Sequence, residues 1–149
     1  MPFCPLTNNP VITMSSDTVA YLQPAGAITP TGTWSVAAKA GDFLYIAGMR
    51  GIDPNTNKLV EGDENRIRQA FQNMKHIADS EGVTLADTVR LVVYVTDMIK
   101  LRPIVNSVQE EFWPDGNFPP RTILEVNALN ENDIFEVEGT FFAPNAQSK

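Results

Sequence analysis

The segment Phe118-Pro119-Pro120-Arg121-Thr122-Ile123-Leu124-Glu125-Val126 places one arginine where a proline turn gives way to an apolar strand. Each proline fixes its own φ and biases the preceding residue toward extended backbone. An arginine at such a junction aims a planar, permanently charged fork at one fixed spot. That suits capture of a small carboxylate by two parallel, charge-assisted hydrogen bonds. Taken alone, the segment also fits a plain surface ion pair between Arg121 and an acid. Other reactive residues are scarce. Cys4, the only cysteine, lies near the terminus with no histidine close in sequence, a poor setting for a nucleophile. His76 is the only histidine, so zinc sites of the usual Cys/His type are excluded on count and no metal is expected.

Composition narrows the classes. A chain of 149 residues with 43% apolar and 19% charged residues has the size and balance of one globular domain. The formal net charge of −7 repels polyanions, so nucleic acid is not an expected partner. An anionic metabolite has to be held by a local arginine cluster. A single cysteine permits no intrachain disulfide and points to a reducing compartment, the cytoplasm. No apolar run approaches the roughly 20 residues of a membrane helix, and no secretion signal is evident, so no membrane partner is expected.

The elements that position these residues follow from periodicity. Residues 1–31 carry Pro2, Pro5, Pro10, Pro24 and Pro30 and read as an irregular arm, with one short extended piece at Val11-Ile12-Thr13-Met14. The regular domain spans 32–149. Strands are expected at Trp34 to Ala38, at Phe43 to Ala47, and at Lys58 to Val60 after the turn residues Asp53-Pro54-Asn55-Thr56-Asn57. A helix capped by Asp63 runs to about Glu81, with Ile67, Phe71, Met74, Ile77 and Ala78 on one face and Gly82 as its stop. His76 lies beside that stripe and reads as a surface residue. Thr88 to Thr96 is the strongest strand. A second helix is expected from Arg102 to Trp113, with Pro103 in its first turn, and strands follow at Arg121 to Asn127 and Ile134 to Phe142. The order β-β-β-α-β-α-β-β gives an α+β domain with both helices on one face of a single mixed sheet.

The period of two sorts the last strands. Phe135, Val137, Gly139 and Phe141 share a face, with Glu136 and Glu138 opposite. Thr122, Leu124 and Val126 are expected to meet the helices, leaving Arg121, Ile123 and Glu125 on the far side together with Glu136. Two helices cannot cover both faces, so the far side is expected to meet water, a ligand or another subunit.

Several pieces together resemble a known family: Gly41-Asp42-Phe43-Leu44-Tyr45-Ile46-Ala47-Gly48, Asp53-Pro54, Arg68-Gln69-Ala70-Phe71-Gln72-Asn73-Met74-Lys75, Val95-Thr96-Asp97-Met98, Val105-Asn106, and Phe118-Pro119-Pro120-Arg121-Thr122 followed by Glu125-Val126 and Glu136-Val137-Glu138. From about Gly32 to Ala143 the chain is similar to the RidA (YjgF) family of enamine and imine deaminases. The resemblance implies a chorismate-mutase-like fold and a homotrimer with a central barrel and sites between subunits. It also implies cofactor-free hydrolysis of 2-amino acid enamines and imines to 2-keto acids and ammonia. Arg121 matches the family's carboxylate-binding arginine. Glu136 matches the acid near the attacking water, its alternative being a structural partner of an arginine. Pro120 lies on the same turn.

Departures from the pattern bear on substrate. Trp34 stands where a tyrosine is frequent, Ala47-Gly48-Met49 replaces Ser-Gly-Gln, and Ile123 replaces a cysteine. Arg50 and Arg66 are additions, each either a solvated charge or a seat for a second carboxylate. The latter implies an unsaturated 2-amino dicarboxylate such as 2-aminomuconate. A keto-acid-binding or regulatory trimer without turnover remains a second reading. The family's older nuclease and translation-inhibitor labels fit poorly with the acidic charge and the lone histidine.

Overall fold

The computed structural model describes residues 18–144, so the extended piece expected at Val11–Met14 lies outside the described residues. In chain order the strands and helices are β1 (Ala20–Leu22), β2 (Ala37–Ala40), β3 (Phe43–Met49), β4 (Ile52–Asp53), β5 (Lys58–Leu59), α1 (Asp63–Ser80), β6 (Thr88–Val95), α2 (Met98–Phe112), β7 (Arg121–Glu125) and β8 (Phe135–Phe142). Six strands form one mixed sheet in the order β1-β2-β3-β8-β6-β7, in which only β6 and β7 run parallel. β4 and β5 form a separate hairpin. Both helices pack on one face, as expected.

Alternation explains the layering. In β8, Phe135, Val137, Gly139 and Phe141 are buried while the residues between them keep solvent access. Leu91, Val93 and Val95 of β6 complete the helix-facing layer. The α1 stripe Ile67, Phe71, Met74, Ile77 and Ala78 is buried as read from the sequence. Phe71 joins the elements, its ring centroid lying 5.4 Å from Phe112, 6.0 Å from Trp113 and 5.7 Å from Phe135.

Five expectations are corrected. A strand lies within the stretch read as irregular: Tyr21 pairs with Ala38, and Ile28 is in the core. The next strand starts at Ala37 and leaves Trp34 on the segment before it. The observed order is therefore β-β-β-β-β-α-β-α-β-β. Gly62, at φ 87°, holds the cap position of α1, and Asp63 is the first helical residue, where its charge meets the positive end of the helix. Helix α2 begins a full turn early, because the Asp97 carboxylate accepts the Lys100 N–H; Pro103 is interior and only costs Ile99 its donor near the exposed start.

The fifth correction matters most. Parallel pairing sets Arg121 beside Leu91 and Ile123 beside Val93, both core residues of β6. Arg121, Ile123 and Glu125 thus face the helices, and Leu124 faces the other way and is exposed. Glu136 pairs with Tyr94 and lies on that other face. Arg121 and Glu136 of one chain are on opposite sides of the sheet. Counting apolar residues within a single strand misassigned the face, since pairing with a buried neighbour decides it.

Candidate functional site

Arg121 sits half-buried at the start of β7. Its Nη1 donates to Gln109 Oε1 at 2.7 Å and its Nη2 to Asn106 Oδ1 at 2.9 Å. Asn106 and Gln109 are three apart on α2 and therefore share a face. Both partners are neutral. Arg121 takes part in none of the ion pairs among the described residues. The surface ion pair offered as the sequence alternative is not among them. Burial, with a smaller push from Arg102, lowers the guanidinium pKa. A partly desolvated cation without a counter-charge is unfavourable, and an arriving anion relieves it. The hollow beside it, about 350 Å³, is bordered by Asn106, Gln109, Glu110, Phe118 and Pro119.

Glu136 stands in a second cleft of about 320 Å³, whose walls include Trp34, Ala47, Gly48, Arg50 and Asn130. Its position depends on an irregularity. The β3–β8 register shifts between Ile46 and Met49, and the strand there carries Gly48. An added Cβ on Gly48 would fall 2.1 Å from Glu136 Oε1, so the carboxylate occupies the space a side chain would take. Burial raises the Glu136 pKa; Arg50 opposes that shift, while Asp133 and Glu138 add to it. A carboxyl displaced toward neutrality is suited to giving and taking a proton.

Trp34, Ala47, Arg50 and Glu136 are therefore brought together, and Arg121 is apart from them. Met49 is a core side chain rather than a pocket wall, because the strand alternation turns it toward the helices. Ile123 packs against the core from the helix face. Pro120 uses its carbonyl to accept the Leu91 N–H. Arg66 lies off the cleft: its Nε donates to the Val60 carbonyl at 3.0 Å and its Nη1 to Asp133 at 3.5 Å. His76 is exposed and bonds the Ala25 carbonyl, as expected of a surface residue.

Sequence reading missed Asn106 and Gln109 as the residues that orient Arg121. It also missed Asp133, a carboxylate 1% exposed that bridges Arg50 and Arg66. The polar run Asn130-Glu131-Asn132-Asp133 was the available signal.

Comparison with known proteins places the family and the fold. The family model described as Endoribonuclease L-PSP matches residues 25–142. A solved structure of a probable translation initiation inhibitor from Rhodopseudomonas palustris is 53% identical, with a TM-score of 0.82 over 85% of this chain and 99% of its own. The RidA structure from a Psychrobacter species is 32% identical, with a TM-score of 0.78 over 83% of this chain and 98% of its own. A Dermatophagoides farinae protein named 2-iminobutanoate/2-iminopropanoate deaminase is 31% identical over 110 residues, 73% of this chain and 84% of its own. Other curated relatives carry only the name RutC family protein.

Proposed function

This chain belongs to the Endoribonuclease L-PSP family, which includes RidA, and on that premise we propose that it is a cofactor-free deaminase that hydrolyses 2-imino acids to 2-keto acids and ammonia. The observation that carries the reading is Arg121: half-buried, oriented by two neutral amides, and without a carboxylate partner among the described residues. The substrate carboxylate supplies that partner. Its C2 imine carbon is already electrophilic, so positioned water and a proton relay suffice. The ionised Glu136 takes a proton from water as oxygen bonds to C2. That proton goes to nitrogen to give the carbinolamine; Glu136 then relays the hydroxyl proton to the amine, and the C–N bond breaks as the carbonyl forms and ammonia leaves.

The site is proposed to be shared. Arg121 and Glu136 of one chain are on opposite sides of its sheet, so one substrate meets both only where two protomers join. The exposed Tyr21, Tyr45, Phe43, Phe142 and Leu124 on the face away from the helices favour such a joint, in the homotrimer that the family resemblance implies. For the natural substrate we propose an unsaturated 2-amino dicarboxylate such as 2-aminomuconate, supported by Arg50 on the wall that also bears Glu136.

Ammonia release from an enamine generated in situ tests the reading. Arg121→Ala is expected to slow release at least about 100-fold, the loss of two charge-assisted bonds, with the oligomer intact. No acceleration by the wild type, together with keto-acid binding that Arg121→Ala abolishes, would establish a binding protein instead.

A further inference from the structure

We propose that the open edge of the Arg50 guanidinium receives the distal carboxylate of a 2-imino dicarboxylate, and that Glu131 competes with that carboxylate. The proposal rests on the deaminase reading and assigns the substrate class to one side-chain edge. Among the described residues, the side-chain hydrogen bonds of Arg50 all use its terminal nitrogens. Nη1 donates to the Asn130 carbonyl at 2.9 Å and to Asp133 at 3.2 Å, and Nη2 donates to Glu131 at 2.9 Å. The Nε–H has no partner among the described residues. Yet none of the described residues has a side-chain nitrogen or oxygen both fully buried and unpaired. That leaves the Nε–H short of full burial, and Arg50 is one of the residues lining the Glu136 cleft. Nε and its neighbouring Nη2 form the edge on which a guanidinium grips a carboxylate side-on.

The charges agree. Arg50 and Arg66 share the buried Asp133, which leaves one positive charge over. Glu131 supplies the balance from a side chain that is 55% exposed. It rides a single turn, Asn130–Asn132, at φ 57°. An ion pair with one partner so exposed is weak, at most about 1 kcal/mol, so a ligand carboxylate displaces it at small cost. Asp133 is enclosed and stays. Arg66, spent on Val60 and Asp133, is not the receiving residue. A ligand whose C2 lies by Glu136 then extends along the same wall to Arg50.

Calorimetric titration of the full chain with 2-oxoglutarate and 2-oxobutanoate tests this without relying on turnover. The readout is the ratio of dicarboxylate to monocarboxylate affinity. Glu131→Gln removes the competing charge and is expected to raise the ratio about fivefold. Arg50→Lys keeps a charge for Asp133 but loses the side-on edge, and is expected to lower the ratio about tenfold. An unchanged ratio in Glu131→Gln overturns the proposal, as does a wild type that prefers the monocarboxylate. Binding of neither acid overturns the deaminase reading as well. Should Arg50→Lys fail to fold, Glu131→Gln, altered at an exposed side chain, still decides.

Discussion

At the scale of single residues, the local chemistry turns on two groups kept from their preferred partners. Arg121 is held by amides where a carboxylate would stabilise it more. Gln109→Glu supplies that carboxylate with almost no change of shape. The variant is expected to melt at a higher temperature and to bind 2-oxobutanoate about tenfold more weakly or worse, because the internal acid occupies the fork. Calorimetry and thermal unfolding check both halves; a stabilised variant with unchanged affinity would show that the ligand sits elsewhere. Glu136 is the opposite case, a carboxyl whose folded pKa lies above the ordinary 4.5 because it is buried. Ionisation therefore costs more in the folded chain than in the unfolded one, and stability falls as pH rises through that interval. Glu136→Gln removes the cost. Its melting temperature should exceed the wild type's at pH 7, and the difference should vanish below pH 4.5. An advantage that persists at acid pH would mean the gain is not electrostatic. The arginine was legible in the sequence, because the two prolines announce a fixed backbone. Its orienting amides were not, since Asn106 and Gln109 acquire meaning only when β7 is docked beside β6 and α2 lies over it.

At the scale of elements, the irregular stretch after Ile46 is what distinguishes a site from a ladder. Two glycines there are close to other atoms, but in different ways. A Cβ on Gly48 meets the movable end of Glu136, whereas a Cβ on Gly51 would lie 2.4 Å from the backbone oxygen of Arg66 and 2.7 Å from its Cα. Gly48→Ala is expected to displace the carboxylate and lower deamination about tenfold or more while changing stability little, since the flexible side chain yields. Gly51→Ala must shift the first turn of α1 against the strand and is expected to cost about 1–3 kcal/mol, as overpacking does. Denaturant titration separates the two, and equal destabilisation would refute the distinction. Element types and the α1 stripe were readable because long amphipathic periods report burial directly. The ends and faces were less so. Pro103 drew the start of α2 toward itself, although Asp97 was the true cap. The β7 face was set by a parallel neighbour that the local alternation does not encode. Within the stretch read as an irregular arm, β1 was missed because three residues carry no period.

At the scale of the whole molecule, the sheet itself divides the chemistry. Arg121 lies on the helix side of its sheet and Glu136 on the open side, so the proposed site takes one residue from each of two neighbours. That arrangement has a consequence no single-chain site shares. Arg121→Ala and Glu136→Gln are each expected to be inactive as pure proteins. In the proposed homotrimer, the two unfolded together in equal amounts and reassembled are expected to form mixed rings in which some junctions join an intact Arg121 to an intact Glu136. For random assembly about a quarter of the junctions qualify, so about a quarter of wild-type activity should return. The measurement is ammonia release from the mixture before and after subunit exchange, with mixed assemblies verified by mass. Silence in verified hybrids would mean that both residues must come from the same chain, which their placement on opposite faces of the sheet disallows without a rearrangement of β7. Recovery would make the open face of the sheet half of the catalytic site, and would explain why the chain leaves Tyr21, Tyr45 and Leu124 uncovered by its own helices.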